Sequence, residues 1–252
     1  MSDIYIRNIL RKYAVLRGPS SPAERGAGAV AAVVSRWAGR YLIASFYSGS
    51  YAKGTAVTTG NDIDVFFSLA SDTPGTLKDA YNGVYGALSL AGFQVRTQNV
   101  SLRAAIGTIH VDAVPGKVQV GFRNYHSLYK SKKDSWAQTN VQLHLQTVIE
   151  SGRIEEIQAI KIWRDLHRLD WPSFYLELTV IDALKYYRSS QLATNVWRAL
   201  EYIAQDFANA RVVDPANSNN VISDDLSQIE KALISGQALV ARSQQNWNKI
   251  IW

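Results

Sequence analysis

Asp62 and Asp64 stand two residues apart in DIDVFFSL (Asp62–Leu69), whose β-branched and aromatic content is that of a strand. Strand side chains alternate between faces, so the two carboxylates project from one face while Ile63, Val65 and Phe67 project from the other. Carboxylates sharing a face repel unless a cation lies between them. Hard divalent cations take oxygen ligands, and Mg²⁺ is commonly held by one or two carboxylates plus substrate phosphates. A third acid, Asp112, falls in IHVDAVP (residues 109–115), where it alternates with Ile109, Val111 and Ala113 and would share a polar face with His110. Three carboxylates from neighbouring strands could hold two metal ions, an arrangement that stabilises both the attacking and the leaving oxygen in phosphoryl transfer. Upstream, Gly49 and Ser50 end an apolar run and open a turn or short helix that contains Gly54 and Thr55. A glycine there lets the backbone approach a phosphate, Ser50 adds a hydroxyl donor, and amides at a helix start favour anions. Alone, a Gly-Ser pair is usually a turn and an Asp-x-Asp pair a solvated strand edge. Their order and complementary chemistry join them into one reading: a triphosphate on the turn, with its α-phosphorus beside the metals.

These groups need a sheet to carry them. Residues 42–47 read as a strand ending before Gly49, Asp62–Leu69 as a second, and Leu77–Leu90 as a helix closed by Gly92. Residues 93–106 and 108–114 read as two strands joined at Gly107. Before them, Ile6, Ile9, Leu10 and Tyr13 mark one helix, and Val30, Val33, Val34 and Trp37 a second after the proline-containing break at Pro19 and Pro22. Residues 124–140 read as an irregular polar stretch containing Lys130, Lys132 and Lys133, a solvated loop rather than a binding patch. From Val141 onward the pattern is helical, with Leu226, Ile229 and Leu233 marking a last helix that Ser223 could cap. The expected fold is therefore α+β: a small mixed sheet with flanking helices in residues 1–140, then an all-helical bundle in residues 141–252.

Composition bounds the function. The absence of cysteine excludes disulfides and thiolate metal sites, and His110, His126, His144 and His167 show no metal spacing. A formal charge of +6 favours anionic partners weakly. No run approaches the roughly 20 apolar residues of a membrane span, and Asp3, Arg7, Arg11 and Lys12 interrupt the N-terminal apolar residues as no signal peptide would. A cytoplasmic location without membrane association is the expectation.

The order GS…GT…DID followed by VDAVP resembles the nucleotidyltransferase superfamily that includes DNA polymerase β. Within it the chain looks most like the branch of cyclic GMP-AMP synthase-like and oligoadenylate synthetase-like bacterial nucleotidyltransferases, the CD-NTases. The resemblance implies that Asp62 and Asp64 bind two Mg²⁺ (or Mn²⁺) ions, that Asp112 completes the site and activates the attacking hydroxyl, and that Gly49 and Ser50 hold a nucleoside triphosphate. In the second half, Lys161 and the run Pro172–Ser173–Phe174–Tyr175–Leu176–Glu177 resemble that branch's helix lysine and Ser-aromatic-Leu-Glu segment. Carried over, Lys161 would contact the triphosphate, Ser173 a phosphate or the ribose, and Phe174 or Tyr175 the base, in a helical domain that closes the nucleotide cleft. DPANSNNV (residues 214–221) resembles an Asp-Pro turn with a structural role near that cleft.

The implied reaction is attack of a hydroxyl on the α-phosphorus of a ribonucleoside triphosphate with release of pyrophosphate. The acceptor stays open. The resemblance favours a cyclic or short oligonucleotide second messenger of bacterial anti-phage defence. The alternatives are template-independent transfer to RNA ends, as CCA-adding and poly(A)-adding enzymes do, or to another macromolecule, and a catalytically silent nucleotide or RNA sensor. RNA or an activating protein as partner, base preference and oligomeric state stay open too.

Overall fold

Strand and helix alternate through the first half of the chain, and helices dominate the second. The computed structural model describes residues 2–58, 62–122, 124–187 and 189–252; positions 59–61, within the segment joining Gly49 to Asp62, lie outside them. In order the elements are α1 (Ser2–Lys12), α2 (Pro22–Ala38), β1 (Leu42–Ser48), α3 (Gly49–Lys53), β2 (Asp62–Leu69), α4 (Leu77–Leu90), β3 (Gln94–Thr97), β4 (Leu102–Ile106), β5 (Ile109–Val118), β6 (His126–Lys130) and β7 (Ser135–Thr139). There follow α5 (Val141–Glu150), α6 (Ile154–Leu166), α7 (Ser173–Ala183), α8 (Leu192–Gln205), β8 (Val213–Asp214), β9 (Asn217–Val221) and α9 (Gln228–Arg242). They pack as two units: a sheet unit of residues 16–53 and 62–145, and a helical unit of residues 2–15, 54–58 and 146–252.

In the sheet unit the strand order is β1-β2-β5-β4-β3, with β6 joined to β5 and β7 to β6. β2 and β5 run parallel, and the other pairs are antiparallel. The alternation read in β2 and β5 is realised: Ile63, Val65, Phe67, Val111 and Ala113 are all buried. α2 covers this apolar face, its Gly26 lying over Ile106 and Val111. Ser21 caps α2 by accepting from the Glu24 amide at 3.2 Å, and Pro22 fills the first helical position, where no amide hydrogen is needed. α4 starts with a capping box between Thr76 and Asp79 and packs on α2; a Cβ at Gly83 would stand 2.5 Å from the Trp37 ring, so only glycine permits this approach. On the opposite face Phe66 packs with Leu128 and Val141.

The core of the helical unit includes Ile6, Ile157, Ile160, Trp163, Tyr175, Leu176, Leu200, Ile203 and Phe207. Fully burying such side chains contributes roughly 1.5–3 kcal/mol each. Ile6 and Ile9 of α1 and Val57 belong to this core. The sequence-based division put residues 1–140 together, whereas α1 and residues 54–58 pack with the helical unit. Among the described residues no helix is long and apolar enough to cross a membrane.

Four local expectations differ from the structure. Residues 93–106 form β3 and β4, folded back antiparallel on each other, rather than one strand. The polar stretch 124–140 contains the β6–β7 hairpin, with Lys132 and Lys133 in a turn at its end. The second half is not wholly helical, because β8 and β9 pair across the Asp214 turn, where Asp214 accepts from the Ala216 amide at 2.8 Å and from Asn220 at 3.1 Å. Ser227, not Ser223, caps α9, in a capping box with Glu230.

Candidate active site

Parallel pairing of β2 with β5 sets Asp64 beside Asp112 and Asp62 beside His110. Residues in register on adjacent strands share a face, so the three carboxylates stand on one face, opposite the helix-covered one. The loop from β1 turns back at Gly49, whose φ is +58°, and a Cβ there would stand 1.8 Å from the Asp64 carboxylate oxygen. Gly49 is therefore required twice: for its left-handed backbone and for the space that Asp64 occupies. The turn is steadied within its own unit. The Tyr51 hydroxyl donates to Glu24 at 2.5 Å, and the Arg17 guanidinium lies 4.6 Å from the Tyr51 ring centre.

Asp64 is the electrostatic centre of this group. Burial pushes its carboxyl up to about 6, and the negative charges of Asp112 and Asp62 push the same way, while Lys53 of α3 and Arg103 of β4 oppose them. Arg103 stands in register with Asp112 across the antiparallel β4–β5 pair. Its Nε and Nη2 donate to the two oxygens of Asp112 at 3.0 and 2.8 Å, and Nη2 also donates to Asp62 at 2.5 Å. The Asp112 bonds, more than any other factor, make the guanidinium hold its proton more tightly than a free arginine does. Gln98 donates to Asp112 at 3.2 Å, and His110 Nδ1 lies 3.2 Å from the other oxygen of Asp62. Sequence reasoning placed His110 on this face but missed Arg103, Lys53 and Gln98. Arg103 was accessible in principle, since Leu102 and Ala104 alternate around it as strand-core residues.

Two metal ions were expected on Asp62, Asp64 and Asp112. Among the described residues no three acidic or histidine side chains converge as a ready metal cage, and Arg103 bridges Asp62 and Asp112. The chemistry of the donors nevertheless suits a hard divalent cation: three carboxylates on one face, two of them already bridged by one cationic side chain.

The residues expected from the second half belong to the helical unit, and the structure gives them different parts. Lys161 is buried; its Nζ donates to Glu177 at 2.6 Å and to Thr55 Oγ1 at 3.0 Å, and Thr55 in turn donates to Glu177 at 2.6 Å. It was expected on the triphosphate; in this structure its ammonium lies on Glu177 and Thr55. The Gly54–Thr55 pair, read as part of the phosphate turn, supplies a member of this knot. Tyr175 is fully buried against Trp171 and Phe207, so its ring is core and offers no face to a base. Phe174 is half-buried and Ser173 exposed. Arg164, not Lys161, is the basic neighbour of Ser173, donating to its hydroxyl at 3.0 Å.

A mixed sheet carrying Asp62, Asp64 and Asp112 behind a Gly-Ser turn, with a largely helical second half, is the nucleotidyltransferase fold. The particular structures it resembles are bacterial CD-NTases. CdnG of Bradyrhizobium diazoefficiens in complex with GTP superposes with a TM-score of 0.79 over 98% of this chain and 94% of that one, at 14% identity. CdnC of E. coli MS115-1, in complex with HORMA-deltaN, gives a TM-score of 0.75 over 95% of this chain and 89% of that one, at 20% identity. CdnE of Elizabethkingia meningoseptica, a cyclic dinucleotide synthase with GTP and Apcpp, gives 0.73 over 97% of this chain and 100% of that one, at 13% identity. No family model matches the sequence, and no curated protein matches it significantly.

Proposed function

We propose that this chain is a metal-dependent nucleotidyltransferase that joins ribonucleoside triphosphates into a cyclic or short oligonucleotide, a second messenger in bacterial anti-phage defence. The observation that carries the reading is the register Asp62↔His110 and Asp64↔Asp112 on two parallel strands of a fold shared with a cyclic dinucleotide synthase. Asp62 and Asp64 would hold Mg²⁺ or Mn²⁺, two ions in all, with Asp112 as their third carboxylate. The ions would supply charge stabilisation to the attacking and leaving oxygens. Gly49 and Ser50 would hold the triphosphate through backbone amides and a hydroxyl. Asp112 would accept the proton of the attacking hydroxyl. Ser173 would contact a phosphate or the ribose, the half-buried Phe174 rather than the enclosed Tyr175 the base, and Lys161, whose ammonium meets Glu177 and Thr55, the triphosphate. A partner protein in regulation rests on the E. coli CdnC structure being a complex with HORMA-deltaN. No observation supports RNA as a partner.

One observation favours a second reading, the catalytically silent nucleotide sensor: the Arg103 guanidinium lies across two of the three carboxylates. Product analysis separates the readings. The protein is incubated with all four ribonucleoside triphosphates and Mg²⁺ or Mn²⁺, with and without bulk RNA, then treated with phosphatase and assayed by mass spectrometry. A phosphatase-resistant small product establishes the synthase, label confined to RNA moves the acceptor to RNA ends, and nucleotide binding with no product in either arm establishes the sensor.

A further inference from the structure

The reaction as proposed has no use for an arginine between Asp62 and Asp112, yet the structure builds one in. We propose that Arg103 is an internal competitor of the divalent metal: its guanidinium holds Asp62 and Asp112 together when no metal is bound, and it must leave Asp62 before a metal can bind there. The proposal rests on the reading of Asp62, Asp64 and Asp112 as metal ligands.

Three features support it. The first is the use of acceptor atoms. Arg103 engages both oxygens of Asp112 and one of Asp62, so an ion shared by these acids would take atoms that the guanidinium already occupies. The second is placement. The ladder pairs Leu102 with Ala113, Arg103 with Asp112 and Ala104 with Val111, and Leu102, Ala104, Val111 and Ala113 are fully buried. Rotating β4 to turn Arg103 away would expose that core, so the backbone commits Arg103 to the acidic face. The third is asymmetry. At Asp112 the fork is two-pronged, Gln98 adds a bond, and the side chain is 8% exposed; at Asp62 a single prong serves a side chain that is 37% exposed and shared with His110. Charge-assisted bonds weaken with exposure to water, so the Asp62 end is the one that opens, while the Asp112 end serves as the pivot. Arg103 is thus a positioning residue, acting on the chemistry only through the carboxylates.

The test is Mn²⁺ binding to the full-length, nucleotide-free protein, followed by the electron paramagnetic resonance signal of free Mn²⁺, in wild type, Arg103→Gln and Arg103→Lys. Arg103→Gln is expected to bind Mn²⁺ about tenfold more tightly than wild type, the worth of roughly one charge-assisted hydrogen bond. Arg103→Lys keeps a cation but loses the fork, and falls between the two. Because Arg103→Gln leaves two acids facing each other, thermal melting with and without Mn²⁺ is measured as well. The variant should melt below wild type without metal and gain more from Mn²⁺; a variant that folds only in Mn²⁺ gives the same answer. Equal Mn²⁺ affinity and equal metal-induced gain in wild type and Arg103→Gln would overturn the competitor and leave the metal site standing. Weaker binding in Arg103→Gln would overturn it too, by showing that Arg103 prearranges the ligands. No saturable Mn²⁺ binding in any of the three proteins would overturn the metal site and the competitor together.

Discussion

At the scale of single residues, Asp64 is a carboxyl on which burial and neighbouring charge act together. Its carboxyl is raised to about 6 from 3.8 by burial first and by Asp112 next. A raised acid binds its proton more tightly in the folded than in the unfolded chain, so between about pH 4 and pH 6 the metal-free protein loses stability as pH rises. The loss is complete above the folded value and amounts to at most roughly 3 kcal/mol. Asp64→Asn removes this one titration. In metal-free buffer the melting temperature of Asp64→Asn relative to wild type should therefore be higher at pH 7.5 than at pH 5; a difference that does not change with pH refutes the assignment. Tyr175 carries a prediction of the opposite kind. Its hydroxyl is buried without a hydrogen-bond partner among the described residues, so deleting it leaves nothing unsatisfied. Tyr175→Phe should leave stability unchanged or raise it by about 1 kcal/mol in denaturant melts. Nucleotide affinity measured by calorimetry should not move; a clear loss would return Tyr175 to the base site.

Between elements, the decisive contact is the polar knot that ties α6, α7 and the Gly54–Thr55 segment through Lys161, Glu177 and Thr55. Removing one partner of a buried ion pair strands the other charge, at a cost of about 3–5 kcal/mol. Lys161→Met and Glu177→Leu should each destabilise the chain strongly in urea denaturation, while the double variant carrying both should cost much less than the sum of the two single losses. Additive losses would show that the residues do not act as a pair. The knot also shows what a local reading of sequence can carry. β2 and α4 were legible to the residue, because alternation in one and the Gly92 stop after the other are local signals. The β6–β7 hairpin was not, since its Ser, Lys and Gln residues are polar and its stability lies in backbone pairing between Leu128–Ala137 and their neighbours. In α9 the apolar spacing pointed to Ile229 and Leu233, which are exposed, whereas Ile234, Ala238 and Ala241 face the core. Apolar residues on both sides of a helix leave its buried face to tertiary packing.

For the molecule as a whole, the assignment of α1 and residues 54–58 to the helical unit could not be read from either segment, because it depends on partners about a hundred residues and more away, such as Thr55 with Lys161 and Asp3 with the amides of Leu192 and Ala193. Asp62, Asp64, Asp112 and Gly49 were legible because their types and alternation encode their geometry; Arg103 was not, because only the β4–β5 register sets it against Asp112. The chain shares its fold with a cyclic dinucleotide synthase, and the proposed nucleotidyl transfer stands or falls with these three carboxylates. The measurement that tests it most directly compares wild type with the Asp62→Asn, Asp64→Asn double variant for Mg²⁺- or Mn²⁺-dependent pyrophosphate release from the four ribonucleoside triphosphates, with thermal melting as a check on folding. Wild type should release pyrophosphate, and a double variant that still folds should lose at least about a thousandfold, as the proposal requires. Equal release by the two proteins would contradict it.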